Sequence, residues 1–314
     1  MCDRFQPMYG SVSRGSPEMT CPICGSGDYW PIASQSDPQV TQLRAQYGDA
    51  AAYEWRLCKT CANGYPSHPP DRRILRALWA LNRTDETASP AEKEKIWAHR
   101  RSIAVVGGQR SYRLFAPLAK ASGRFLDIGC GLGETVRTFA SHGWDAEGID
   151  ADPSTAAIHR EIGIKARVGQ FEDFAFEQSY DIIHCAHAIY FITDPMRFMR
   201  SVRERLAPGG LFCVVIADFQ AIDDAGEPGY AHTFYPTGSS MRVALGLAGF
   251  EIVRSKRLSG SVFIAARPTP KPGKPAIWPA GVLMRYRTRA LRYSLFGRPY
   301  LLLRRIVKRV LRRR

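Results

Sequence analysis

Phe125-Leu126-Asp127-Ile128-Gly129-Cys130-Gly131-Leu132-Gly133-Glu134 is the stretch whose reading decides the fold. An apolar run of strand length leads into three glycines spaced by single residues, so the backbone there can approach a ligand that side chains would exclude. Asp150 ends the next such run, Ala146-Glu147-Gly148-Ile149-Asp150, twenty-one residues after Gly129. A carboxylate at that place can accept hydrogen bonds from both hydroxyls of a ribose. Outward from the loop, the pattern alternates. Strands are predicted at 124–128, 145–150, 164–168, 180–186 and 210–216, with helices at about 133–142, 153–161 and 195–206. A further helix at 237–248 precedes two runs, 250–254 and 261–266, close enough to form an antiparallel hairpin. This order implies right-handed crossovers and an α/β fold with a doubly wound, mostly parallel sheet of seven strands.

Two cofactors could use the glycine loop. A dinucleotide fold wants G-x-G-x-x-G, and its third small residue would fall at Glu134. The acid Asp127, two residues before the first glycine, suits a cationic amino-acid end instead. That combination favours S-adenosylmethionine over NAD. Methyl transfer is an in-line displacement on a sulfonium, so much of the catalysis comes from positioning the acceptor. A base is needed where a hydroxyl or carbon acid must lose its proton. The candidates are His187 and Tyr190, just past the fourth strand, and His232 with Tyr235 before the 237–248 helix. His187 is the first choice, because it stands where the chain leaves the sheet. His184, inside the strand, reads as a packed residue.

The stretch from about Arg124 to Pro268 resembles the class I S-adenosylmethionine-dependent methyltransferases, which have a Rossmann-like core. The resemblance implies that the loop of Asp127, Gly129, Cys130 and Gly131 holds the methionine end. It implies ribose binding at Asp150, with Ala151 beside it, and an adenine pocket along Gly169-Gln170-Phe171-Glu172. Tyr180 to His187 resembles the fourth strand, with Ala186 at its cofactor end, and Leu206-Ala207-Pro208-Gly209-Gly210 matches the turn before strand five. Many relatives read Leu-Glu-His where this chain has Ile189-Tyr190-Phe191, which leaves the acid-base group open between His187, Tyr190 and His232.

Eight cysteines are present, and four of them form two CxxC pairs, Cys21/Cys24 and Cys58/Cys61, with thirty-three residues between the pairs. Two such knuckles can supply four thiolates to one tetrahedral Zn²⁺, a closed and therefore structural site. The arrangement is similar to the zinc-binding N-terminal domains of bacterial methyltransferases from sugar and polysaccharide pathways. Met1 to Gly10 has no apolar h-region, and no window reaches the length of a membrane span. A cytoplasmic location is therefore expected, where paired thiols stay reduced.

The net charge of +15 is not evenly spread. Residues 268–314 hold fourteen of the forty-four Lys and Arg and no acid, leaving thirty basic against twenty-nine acidic residues elsewhere. On a helical projection of 301–314, Leu302, Leu303, Ile306, Val307, Val310 and Leu311 share one half, and Arg304, Arg305, Lys308, Arg309 and Arg312 the other. Such a helix suits an anionic membrane surface. Residues 281–296 are similar, with Tyr286, Tyr293 and Phe296 placed for the interface. Nucleic acid is the rival partner; the chain lacks the [ND]-P-P-[FY] loop of base amino-group methylation. The expected organisation is a disordered 1–20, a zinc-binding 21–70, a helical connector 71–123, a catalytic 124–267, a Pro-rich linker 268–280 and a basic tail 281–314. The expected activity is methylation of a small-molecule, sugar or lipid-linked saccharide acceptor at the membrane's inner face. An RNA methyltransferase and a catalytically silent cofactor-binding scaffold are the alternatives.

Overall fold

The computed structural model describes residues 19–32, 47, 54–69, 89–119, 123–171, 174, 178–218, 232–258, 260–273, 275–289 and 291. The N-terminal eighteen residues, the helix expected from Asp71, the adenine-pocket residue Glu172 and the tail from 292 lie outside them.

Ser89 starts the first long helix, α1 (Pro90–Phe115), through a capping box. Its hydroxyl accepts from the Glu92 amide, and the Glu92 carboxylate accepts from the Ser89 amide at 2.9 Å. Two adjacent glycines, Gly107-Gly108, would weaken a helix interior, yet this one runs through them. Gly108 is a contact rather than a break: a Cβ there would lie 2.9 Å from the Glu134 carbonyl and 3.0 Å from Thr138 Oγ1. Those atoms belong to the helix after the glycine loop, α2 (Glu134–Ser141), so the missing side chain lets two helices approach closely.

The seven-stranded sheet comprises β4 (Arg124–Ile128), β5 (Asp145–Asp150), β6 (Lys165–Val168), β7 (Tyr180–Ala186), β8 (Leu206–Ala217), β9 (Phe250–Leu258) and β10 (Ser261–Pro268). Its order is β6-β5-β4-β7-β8-β10-β9, parallel except where β10 pairs with β8 and with β9. The expected doubly wound topology and terminal hairpin are both present. Strand residues alternate between two apolar layers: Phe125 and Ile182 enter one with Phe115, Phe139 and Trp144, while Leu126 and Ile183 enter the other with Met199 and Phe212. A sheet covered on both faces needs such continuous apolar strands. The crossovers are α2, α3 (Ala156–Glu161, preceded by a 3₁₀ turn at Pro153–Thr155) and α4 (Pro195–Glu204). A fifth helix, α5 (Gly238–Leu247), precedes the hairpin.

Ahead of this body, β1 (Tyr29–Ile32), β2 (Trp55–Cys58) and β3 (Gly64–Pro66) make a small antiparallel sheet that carries the paired cysteines. At the other end, the structure departs from the expectation of a free linker and an open basic helix. The Gly273 amide donates to the Gly246 carbonyl at 3.1 Å, laying the proline-rich segment along α5. A helix at 279–289 then buries Val282, Leu283 and Tyr286 in the main core. Tyr286 is thus a packing residue. The apolar stripe of this stretch docks on the protein's own body, which takes Val282, Leu283 and Tyr286 out of water. No helix among the described residues is long and apolar enough to cross a membrane.

Candidate functional site

The glycine loop is clamped from outside itself. Gly129 and Cys130 both donate their amides to the Ile149 carbonyl, at 2.8 and 3.1 Å, folding the loop over the end of β5. Asp150 Oδ2 accepts from the Gly131 amide at 2.7 Å, and its Oδ1 accepts from the Asp152 amide at 2.9 Å. His159 Nε2 lies 2.7 Å from the Gly131 carbonyl and so donates to it. Gly129, Gly131 and Gly133 all have positive φ. At Gly131 an added Cβ would meet nothing within 4 Å, so the loop's outer side faces open space. Partly buried Asp150 borders that space. A bare loop, a carboxylate for ribose hydroxyls and a second acid at Asp127 fit the nucleoside and amino-acid parts of S-adenosylmethionine. Glu134 departs from a dinucleotide site: it is buried and held by Arg101 at 2.9 Å and Arg137 at 2.6 Å, where a pyrophosphate would need bare amides.

The remaining predicted cofactor residues divide. Ala151 is exposed beyond β5, and Ala186 sits half-buried at the end of β7. Phe171 turns its ring into the core, edge-on to Phe198 at 5.4 Å, so any part it takes in an adenine pocket comes from its backbone or from ring motion. The Cys130 thiol is packed beside Gly148, and burial with the nearby Asp127 and Asp150 charges pushes its pKa up. Asp127 is buried and bonded to His184 Nδ1 at 2.7 Å, and His184 Nε2 reaches Ser111 Oγ of α1 at 3.1 Å. His184 is packed, as the sequence suggests, but its ring also orients the first acid of the loop. Nothing in the spacing of 127, 184 and 111 announces that chain. The one available signal was a histidine inside an otherwise apolar strand.

The acceptor side begins where the two loops touch. A Cβ on Gly129 would lie 2.3 Å from the Ala188 Cβ, so the chain leaving β7 passes directly against the glycine loop. His187 stands at that exit with φ of 55°, a left-handed conformation that costs a non-glycine residue about 1 kcal/mol or more. Its amide donates to the Val215 carbonyl at 2.9 Å. Its residue surface is exposed and its ring lies near that of Tyr190, and desolvation with the neighbouring His184 holds its pKa below the usual histidine value. Tyr190 follows on a 3₁₀ turn, its hydroxyl accepting from the Ala217 amide and 3.4 Å from His187 Nδ1. Burial raises the Tyr190 and Tyr235 pKa values, so both phenols stay protonated. The Ala217 bond holds the Tyr190 hydroxyl in place beside His187. The Tyr190 ring stacks on Tyr235 at 4.9 Å, with His232 edge-on to Tyr190 at 5.4 Å and stacked on Phe191 at 5.2 Å. The three predicted candidates do meet. Asp218 was missed: fully buried, it pairs with Arg257 and accepts from the Gly238 amide at 3.4 Å. A lone acid closing the apolar run Leu211 to Ala217 was its signal.

The four paired cysteines converge. Their sulfurs lie within 4.8 Å of one another, with Cys21–Cys61 at 3.4 Å and Cys24–Cys58 at 3.5 Å. Zn–S bonds of about 2.3 Å would set tetrahedral sulfurs about 3.8 Å apart, so the four are arranged to hold one such ion. Each knuckle turns back on itself, with Gly25 donating to Cys21 and Ala62 to Cys58, at 2.8 and 2.9 Å. Both turning residues have positive φ.

Residues 97–255 match the family model described as a methyltransferase domain. The chain belongs to that family. It is an S-adenosylmethionine-dependent methyltransferase; the bound donor supplies an electrophilic methyl group on a sulfonium. Among curated relatives, a ubiquinone biosynthesis O-methyltransferase of Xanthomonas oryzae pv. oryzae is 33% identical over 103 residues, 30% of this chain and 43% of that protein. The corresponding protein of Cereibacter sphaeroides is 35% identical over 105 residues, 31% of this chain and 42% of its own length. The matched segments thus span less than half of these relatives. Solved structures with a similar fold include the CcbJ methyltransferase of Streptomyces caelestis, at TM-score 0.45 and 17% identity over 52% of this chain and 89% of that one. The glycopeptide N-methyltransferase MtfA complexed with S-adenosylmethionine aligns at TM-score 0.43 and 16% identity, over 52% and 94% of the two chains.

Proposed function

We propose that the methyltransferase acts on a hydroxyl of a saccharide or lipid-linked saccharide acceptor, at an anionic membrane surface, with zinc as a structural ion in the cysteine site. The observation that carries the choice of hydroxyl is His187. Its pKa is held below the ordinary histidine value, and it stands next to Ala188, where the acceptor loop touches the cofactor loop. A neutral imidazole there can take the proton that a hydroxyl must release as it attacks. The aromatic faces of Phe191 and His232 beside it suit the apolar face of a ring. The curated relatives named as O-methyltransferases lend this reading support.

Support for the membrane comes from the outward side of the 279–289 helix and its flanks. Trp278, Met284 and Leu291 are exposed at 65, 60 and 58%, among Arg285, Arg287 and Arg289. Apolar anchors among cations are the pattern of an interfacial helix, and the 301–314 projection continues it. The test is incubation with S-adenosylmethionine labelled at the methyl group and separate lipid, saccharide and RNA fractions. Label in an alkali-stable ether of the lipid or saccharide fraction supports the proposal. Label in RNA installs the tail as an electrostatic arm instead. Label in none of them overturns the proposed acceptor class.

A further inference from the structure

Among the described residues, the cysteine knuckles bond directly to the acceptor side. The Gly64 amide donates to the Tyr235 carbonyl at 3.1 Å, and the Tyr235 amide returns a bond to the Gly64 carbonyl at 2.7 Å. Thr237 Oγ1 donates to the carbonyl of Ala62, the residue directly after Cys61, at 3.1 Å. Trp55, on the strand that ends in Cys58, sits edge-on to Tyr235 with ring centroids 6.5 Å apart. From Tyr235 the contacts run on: a stack to Tyr190, and from the Tyr190 hydroxyl to His187. The segment thus held, 232–237, has no regular structure of its own before α5 begins, so its order rests on partners. Thr237 also caps α5 by accepting from the Ser240 amide at 3.0 Å, which ties the knuckle to a helix start.

We infer that the small cysteine-bearing sheet is the positioning element for the acceptor side: by pairing with Tyr235 and Thr237 it sets the Tyr190–His187 geometry, while the glycine loop folds independently of it. This rests on the acceptor-side reading above and adds what holds that side in place. A contiguous chain of hydrogen bonds and stacked rings is a physical route for such coupling. The deciding experiment follows backbone hydrogen exchange and the NMR titration of the His187 ring in the full chain, with metal content measured alongside. Thr237→Val cuts the bond to Ala62 together with the α5 cap. Thr237→Asn keeps a capping side chain while Thr237→Ser keeps both bonds, so the His187 titration and the chelation arm separate the knuckle's effect from the cap's. The valine variant is expected to lose roughly tenfold or more of the exchange protection over 232–240. His187 should then titrate closer to an ordinary histidine, with protection over 125–150 unchanged and the serine variant close to wild type. Chelation of bound zinc should reproduce the valine pattern. Unchanged protection over 232–240 in Thr237→Val overturns the inference, as does equal loss over 125–150. A chain found without zinc defeats the metal assignment alone, since the valine variant still decides the coupling.

Discussion

The two halves of this active site are built in opposite ways. The cofactor half is built mainly from one stretch, 125–150, clamped by Asp150 and by His159 just beyond it, with His184 of β7 orienting Asp127. The acceptor half is gathered from four distant places: the knuckle at 61–66, the β7 exit at 187–191, the β8 end at 217–218 and the segment 232–240. A site made locally is held by short loops and reads as a motif. A site assembled across the chain is held by tertiary contacts, so its parts carry no common spacing.

The sharpest break between the halves is expected at His187. His187→Ala should lower turnover by about 10² to 10⁴, the range of a positioned acid-base group, with S-adenosylmethionine affinity measured by calorimetry unchanged. If affinity falls with turnover, the halves are not separable. A pH profile sharpens the same point. In the proposed reaction His187 acts as a neutral ring, and because its pKa is depressed its protonation falls below the ordinary histidine value. The rate should therefore rise with pH through a value below about 6.5 and stay level above it. A rising limb above pH 7 assigns the proton transfer to another group.

Legibility follows the same division. Asp127, the three glycines and Asp150 were readable because a ligand that approaches backbone needs glycine, and a strand end needs a carboxylate at a set distance. The central strands β4, β7, β8 and β10 were readable because their residues are buried on both faces. Tyr190 was named as a candidate base, and the bond that fixes its hydroxyl comes from the Ala217 amide, 27 residues away in sequence, which no local pattern announces. Gly107-Gly108 reads as a break because glycine weakens a helix; the structure shows α2 lying against Gly108. Tyr286 reads as an interfacial aromatic because amphipathic helices look alike whether they meet lipid or protein.

The glycine pair gives the smallest test of that lesson. Gly107 has open space around it, so Gly107→Ala should stabilise the chain by about 0.5–1 kcal/mol through helix propensity. Gly108→Ala forces a methyl to 2.9 Å from the Glu134 carbonyl and should destabilise by about 1–3 kcal/mol. Thermal melts with the same sign for both would mean that α1 and α2 do not meet there.

The central claim is that the cofactor half stands by itself on Asp150, which clamps Gly131 and borders the space open to a ribose. Calorimetric titration of S-adenosylmethionine into the wild type and into Asp150→Ala tests it directly. One molecule per chain should bind the wild type, roughly 100-fold or more tighter than the variant, as expected when a charge-assisted bond and a loop clamp are lost together. Equal affinity in the two proteins would contradict the account.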